Sequence, residues 1–206
     1  MRSAITAWIS MTALCGACCA AEQVETRGAQ LAATLGITTN AQPLSTNAVA
    51  LSIRQAVKTE GYSIKWKRTL EPPPEMCFDV DIIDTNEHVV ASGRIRERSS
   101  FENAKTALFD GLTLNSMMID ALREKYEVQR VAIGDLCLLE KTFDAAERRY
   151  TTVPVAVHFV RGGAAVSLYA LRKDVDLWRI ARDIDAILTG VVTGQDATRN
   201  VPKTAP

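Results

Sequence analysis

Histidine is scarce in this chain, which has only His88 and His158 in 206 residues. Nucleophilic catalysis of the Ser/His/Asp or Cys/His type needs one of them beside an activated nucleophile. No Gly-x-Ser-x-Gly motif is present. Strand alternation places His158 opposite Ser167, but a hydrogen-bonded histidine on a half-exposed sheet face explains that pair more simply than catalysis does. We therefore predict no catalytic residue and a protein that is not an enzyme.

Metal and nucleotide motifs are also missing. The sequence has no His-Glu-x-x-His, no paired Cys-x-x-Cys and no acidic calcium loop. Asp79, Asp81 and Asp84 alternate as metal ligands could, although a solvated strand face paired with Arg94 accounts for them. Gly162-Gly163 is typical of a hairpin turn rather than of a phosphate-binding loop. No metal and no cofactor are expected.

The chain has no excess of charge of either sign. Lysine and arginine total 24, as do aspartate and glutamate, so the formal net charge is zero. A nucleic-acid-binding surface or a polybasic membrane patch normally leaves a basic excess. Neither a nucleic-acid partner nor electrostatic membrane binding is expected.

The apolar run at the amino terminus is short. Residues 4–14 are apolar or small throughout and follow Arg2, yet a membrane-spanning helix needs about 20 such residues. Small residues come next, and the first acid is Glu22. This pattern predicts a secretory signal peptide over residues 1–21, cleaved after Ala20 or Ala21. The mature chain would then be periplasmic or secreted.

The alternative is a lipoprotein, with Cys18 as the lipid-modified residue. Gly16 and Ala17 supply the small residues that precede such a cysteine, but Cys15 stands where a leucine is usual. Only in that case would the mature protein be anchored to a membrane of the envelope.

Two cysteines, Cys77 and Cys137, remain after the signal peptide. A pair of cysteines in an exported chain favours one disulfide. The alternative is two buried thiols, since sequence alone does not show whether the two Cα atoms approach each other.

The chain divides into four segments. We predict the signal peptide over 1–21, a flexible spacer over 22–44 with a short helix near residues 30–35, a single domain over 45–190, and a disordered tail over 191–206. Within the domain, a helix near residues 46–57 should end at Gly61. Strict alternation over 62–67 predicts a strand. The proline run at 72–74 interrupts it.

Two hairpins organise the domain. Residues 76–97 alternate around a turn at 84–87, with Phe78 expected opposite Gly93. Residues 153–172 flank Gly162-Gly163, and a two-residue turn there pairs Phe159 with Val166 and His158 with Ser167. Between the hairpins, residues 99–102 resemble a capping box, with helix to about 126, strands at 128–133 and 136–139, and a loop or helical turn at 143–150.

Asp174 or Asp176 begins a last amphipathic helix that ends before Gly190. The order of elements predicts an α+β fold, an antiparallel sheet with helices packed on one face and a closing C-terminal helix.

Two sets of polar residues are candidates for binding. Arg94, Arg96 and Arg98 lie on one side of a strand, and such a row suits an anionic ligand, a lipid headgroup or an acidic partner. A solvated face balanced by neighbouring acids is the simpler explanation. The second set is the mixed face of the Gly-Gly hairpin, with His158, Ser167 and Tyr169.

The last third of the chain resembles small exported bacterial domains of the PsbP/Mog1-like group. The resemblance lies in Gly134-Asp135 before a short strand, in VHFVRGGAAVSL, and in LWRIARDIDAIL, with Phe159, Arg161, Gly162, Ala181, Arg182 and Asp185 at the matching positions. It covers about 55 residues. It implies a curved antiparallel sheet backed by helices and used as a binding or accessory module.

These patterns favour a non-enzymatic exported protein that engages a protein partner or an envelope component. An inhibitor or immunity protein is one subtype of that class. The alternative is a small-molecule or lipid carrier that uses a concave sheet face, and a hydrolase with an unrecognised site is the third class.

Overall fold

The computed structural model describes residues 26–37, 57–59, 61–69, 76–114, 119–130 and 133–189. The predicted signal peptide, Cys18 and the predicted tail lie outside these residues. Within them, no helix has the length and apolar character needed to cross a membrane.

The described residues form four helices and eight strands. The helices are α1 (Arg27–Thr34), α2 (Phe101–Thr113), α3 (Ile119–Lys125) and α4 (Leu177–Leu188). The strands are β1 (Val57–Thr59), β2 (Tyr62–Thr69), β3 (Met76–Asp84), β4 (Val89–Glu97), β5 (Tyr126–Gln129), β6 (Leu136–Asp144), β7 (Arg149–Arg161) and β8 (Ala164–Ala170).

All eight strands belong to one sheet in the order β1-β2-β3-β4-β8-β7-β6-β5. Every neighbouring pair is antiparallel. Turns within the described residues join β3 to β4, β6 to β7 and β7 to β8, and the β4–β8 pairing joins the two halves of the sheet. The predicted α+β class, the antiparallel sheet and the closing C-terminal helix are confirmed.

The two faces of the sheet carry separate hydrophobic cores. Side chains such as Phe78, Ile95 and Val166 pack against α4 on one face. Leu138, Val160 and Ala165, of opposite parity in their strands, pack with α1, α2 and α3 on the other. The helices therefore cover both faces, whereas the sequence predicted them on one. We refer to the second as the α2 face.

The Gly162-Gly163 hairpin has the register that the sequence predicted. Phe159 lies opposite Val166 and His158 opposite Ser167, and Gly162 has a φ of 52°. The β3–β4 hairpin differs by two residues, because Phe78 pairs with Ile95 rather than with Gly93. A bulge follows Ile82. A shift of two keeps each side chain on its predicted face.

Helix α1 overlaps the short helix predicted near residues 30–35, but it is packed into the fold, whereas the segment around it was predicted to be a flexible spacer. Thr26 caps it by accepting a hydrogen bond from the backbone N–H of Ala29. Leu31 is fully buried among residues of α2, α3 and the sheet. Gly28 permits this approach, because a Cβ there would lie 2.3 Å from Asp110 Oδ1.

Three further elements differ from the sequence prediction. Val57 belongs to β1 rather than to the end of a helix, and residues 46–56 lie outside the described part of the chain. The cap of α2 is Ser100, which accepts from the N–H of Asn103. Residues 143–144 end β6 and residues 149–150 begin β7, so the loop predicted over 143–150 is only a four-residue turn at 145–148.

Cys77 and Cys137 are buried thiols and are not joined by the predicted disulfide. Cys77 shares a sheet face with Asp79 and Arg96, whereas Cys137 lies in the core beneath α4. Four strand spacings of about 4.8 Å separate β3 from β6. A disulfide requires Cα atoms closer than about 7 Å, so both the distance and the opposite faces prevent it.

Candidate functional site

Polar side chains form rows across the α2 face, because the registers of successive strand pairs align them. One row runs through Lys67, Asp79, Arg94, Ser167 and His158, on β2, β3, β4, β8 and β7 in turn. The neighbouring row runs through Lys65, Asp81, Ser92, Tyr169 and Ala156. Members of both predicted binding sets, Arg94 from one and Ser167 and Tyr169 from the other, therefore share one surface.

This surface is the floor of a groove of about 570 Å³. Helix α2 supplies one wall through Leu108, Gly111 and Leu112. The floor includes Lys67, Asp79, Asp81, Arg94, Arg96 and Tyr169. Charged groups dominate the floor, and apolar groups come mainly from the helix.

Arg94 is held in place by an acid on the next strand. Its Nε donates to Asp79 Oδ1 at 2.9 Å, and both side chains are about half exposed, at 48% and 42%. Such a partly exposed pair contributes little to stability. Its main effect here is to orient the guanidinium at the floor of the groove.

Arg96 lies against α2 rather than in solvent. Its Nη1 is 3.4 Å from the carbonyl oxygen of Ala107. Gly111 makes room for it, since a Cβ at that position would come within 2.9 Å of the same nitrogen. Gly111, which lowers the helix propensity of α2, therefore allows the Arg96 guanidinium to lie against the groove wall.

Arg98, the third member of the predicted arginine row, does not line the groove. Its Nη1 donates to the carbonyl of Glu97 at 3.0 Å, and its backbone N–H donates to Gly163. Strand β4 ends at Glu97, so the alternation that aligns Arg94 with Arg96 stops before this residue.

A buried ionisable cluster adjoins the groove behind Tyr169. The imidazole ring of His158 forms T-shaped contacts with two tyrosine rings. The distance between ring centroids is 5.5 Å for Tyr169 and 5.8 Å for Tyr126. His158 Nε2 lies 3.2 Å from Glu140 Oε2, and Lys125 Nζ lies 2.8 Å from Glu140 Oε1. Because a carboxylate only accepts hydrogen bonds, Nε2 carries the imidazole proton.

The pKa values in this cluster follow from burial and from the partners. Burial lowers the pKa of His158 and outweighs the opposing hydrogen bond to Glu140. Burial alone would raise the pKa of Glu140, but hydrogen bonds from His158 and Lys125 reverse the shift and lower it. Burial also raises the pKa of Tyr169. The neutral imidazole and the carboxylate are therefore the favoured pair.

His158 is fully buried, and its Nδ1 has no hydrogen-bond partner among the described residues. A substrate in the groove has no access to that nitrogen, because the imidazole lies beneath the floor. This position suits a residue that orients Tyr169 and Glu140 better than it suits a general base.

A second cavity of about 450 Å³ lies on the other side of this cluster. Lys125, Glu140 and Lys141 provide its charged groups, and Phe143 and Tyr150 provide aromatic ones. Leu112 lines both cavities. The groove and the second cavity are therefore neighbours on the α2 face.

Five of the residues that carry the family resemblance form a structural junction on the α4 side of the sheet: Gly134, Asp135, Arg161, Gly162 and Asp185. Arg161 Nε is 2.7 Å from Asp185 Oδ1, and Arg161 Nη1 is 2.9 Å from Asp135 Oδ1. Asp135 also accepts from the N–H of Gly162 at 2.7 Å, and Asp185 from that of Gly134 at 3.0 Å. This network ties the Gly-Gly turn to α4.

Sequence reasoning did not identify Lys125, Tyr126, Glu140, Gly111 or Leu112 as site residues. Gly111 had the one usable signal, an isolated glycine inside a helical pattern, which often marks close packing. Glu140 and Lys125 have no local signal, because they meet only when α3 and β6 pack together.

Comparison with protein-family models, with curated proteins and with solved structures finds no match to this chain.

Proposed function

We propose that this chain is a non-enzymatic exported binding protein, and that the groove between α2 and strands β2, β3, β4 and β8 receives a protein partner from the cell envelope. One observation carries the proposal: Arg94, Arg96, Ser167 and Tyr169, picked out by sequence as two separate candidate sets, line a single groove. If this face were only a solvated surface, α2 would not require a glycine at position 111 to make room for the Arg96 guanidinium.

The chemistry of the lining favours a polar partner over a lipid. Arginine and lysine side chains with hydrogen-bonding capacity lie beside two aspartates. An acyl chain would have to desolvate these charges without satisfying them, which is costly. A polypeptide offers carbonyls, amides and carboxylates that pair with them.

Export remains part of the proposal on the strength of residues 1–21. The predicted maturation leaves Ala21 or Glu22 as the first residue, and intact mass spectrometry of chain purified from its own cells tests it. A mass increment for diacylglycerol on Cys18 would replace the soluble periplasmic form by a lipid-anchored one. A full-length chain recovered from the cytoplasm would remove export altogether.

The groove is tested by affinity capture from the envelope fraction with three immobilised proteins. These are the mature chain, the variant Gly111→Ala, and the variant Arg172→Ser. Alanine at 111 displaces the Arg96 guanidinium, whose flexible end is the atom it meets. It should leave the helix at least as stable, because alanine favours helices by about 1 kcal/mol over glycine.

Arg172→Ser is the matched control. Arg172 is as exposed as Arg94, at 48%, and is likewise ion-paired, but it does not line the groove. We expect a captured component to be lost with Gly111→Ala and retained with Arg172→Ser. Equal capture by all three proteins would exclude the groove as the binding site.

A further inference from the structure

The groove and the second cavity share Leu112 and lie on one sheet face, so one elongated ligand can occupy both. From β2 to β6 the sheet makes five strand spacings, or about 24 Å. An extended polypeptide covers that distance with about seven residues, at roughly 3.3 Å each.

Positive charge is in excess along this path. Arg94 is paired with Asp79, and Lys125 with Glu140. Among the described residues Lys67 and Lys141 form no ion pair, and Arg96 donates to a backbone carbonyl instead of an acid. Asp81 is the one remaining lining acid, and it lies directly opposite Lys65 on β2.

The far end of the path is aromatic. Phe143 is 53% exposed, and its ring meets that of Tyr150 edge to face at 5.2 Å. Both rings line the second cavity. Exposed aromatic side chains beside a cavity are the kind of group on which protein interfaces concentrate binding energy.

We propose that these two cavities together bind one extended segment of the partner protein, acidic where it passes Lys67 and Arg96 and apolar where it reaches Phe143 and Tyr150. The proposal rests on the proposed function, since it specifies the partner that the groove receives. Charge complementarity selects an acidic segment and disfavours a basic one.

The test is selection from a library of random ten-residue peptides displayed on phage, with the mature chain as the immobilised protein. We expect the enriched peptides to carry aspartate or glutamate in one half and aromatic or aliphatic residues in the other. Binding of the enriched peptides, measured by fluorescence anisotropy, should weaken as salt is raised.

Variants at each end show whether both cavities are used. The double variant Lys67→Glu, Arg96→Ser should weaken binding by about tenfold or more. Phe143→Ser should weaken it by about fivefold. The controls are Arg172→Ser for the cations and Val89→Ser for the aromatic ring, because Val89 is an exposed apolar residue that lines neither cavity. Both controls should bind as the unchanged chain does.

Other outcomes separate this inference from the proposed function. Peptides without an acidic half, a library that yields no enrichment, or binding unaffected by Phe143→Ser would overturn the inference. The proposed function would still stand if envelope capture depended on Gly111. Vesicles of phosphatidylcholine and phosphatidylglycerol that bind the chain and lose binding in the Lys67 and Arg96 variant would assign the cations to a lipid surface, which contradicts the inference as well.

Discussion

Arg161 at the end of β7 and Asp185 on α4 form a two-point ion pair, with Nε 2.7 Å from Oδ1 and Nη2 2.6 Å from Oδ2. The hydrogen bonds that Arg161 donates to the Asp185 carboxylate raise the pKa of Arg161 and keep it charged. Asp135 accepts a third hydrogen bond from the same guanidinium. Arg161, Asp185 and Asp135 therefore join the β7–β8 hairpin, α4 and the residues just before β6 at one point.

Removing the charge of Asp185 should be costly. Asp185→Asn leaves Arg161 largely buried with half of its pairing lost, and we expect unfolding free energy to fall by about 3 kcal/mol. Urea unfolding followed by tryptophan fluorescence measures it. Arg172→Ser removes an exposed ion pair and should cost less than about 1 kcal/mol. Equal losses in the two variants would mean that the junction is not a buried network.

Acid should destabilise the protein through His158. The pKa of His158 is lowered in the folded state. Below the unfolded value of about 6.5 the unfolded chain therefore binds more protons than the folded chain, and the free energy of unfolding decreases as the pH is lowered. The fall can reach about 1.4 kcal/mol per pH unit until the folded pKa is passed. Glu140, whose pKa is also lowered, adds a further loss only below about pH 4.3.

Urea unfolding over a pH series tests this assignment. His158→Gln should flatten the slope just below pH 6.5, because the titrating group is gone. A slope that survives His158→Gln would trace the acid sensitivity to another group.

Helix α1 should contribute to stability as a core element. Leu31→Ala removes a fully buried side chain and leaves a cavity, so we expect a loss of about 3 kcal/mol in unfolding free energy. Leu114→Ala, at an exposed position, is the control and should change stability by less than about 0.5 kcal/mol. If Leu31→Ala were equally neutral, residues 27–34 would be no more than a spacer.

Both domain cysteines should behave as protected thiols. Burial and the nearby Asp185 carboxylate raise the pKa of Cys137 to about 12, so almost no thiolate is present at neutral pH. Native protein treated with iodoacetamide should show neither Cys77 nor Cys137 modified, and denatured unreduced protein should show both modified, as read by peptide mass spectrometry. A Cys77–Cys137 linked peptide would contradict the fold.

The sequence predicted local structure well where one side-chain pattern and one turn type agree. The Gly162-Gly163 hairpin is an example, because a two-residue turn leaves a single register. At residues 84–88 a longer turn, closed by hydrogen bonds between Asp84 and both Glu87 and His88, moved the β3–β4 register by one residue, and the bulge after Ile82 moved it by one more. The faces of Asp79, Asp81 and Arg94 were still predicted correctly, since alternation is unaffected by an even shift.

By itself the sequence determined the α+β class, the two main hairpins, the last helix and the polar character of Arg94, Arg96, Ser167 and Tyr169. Only the tertiary structure decided that β4 pairs with β8, which sets Arg94 beside Ser167 and turns two candidate sets into one groove. It also divided the helices between the faces and kept Cys77 away from Cys137. Alternation and turn residues act over a few positions, whereas strand order depends on the packing of segments about 70 residues apart, for which no local pattern is available.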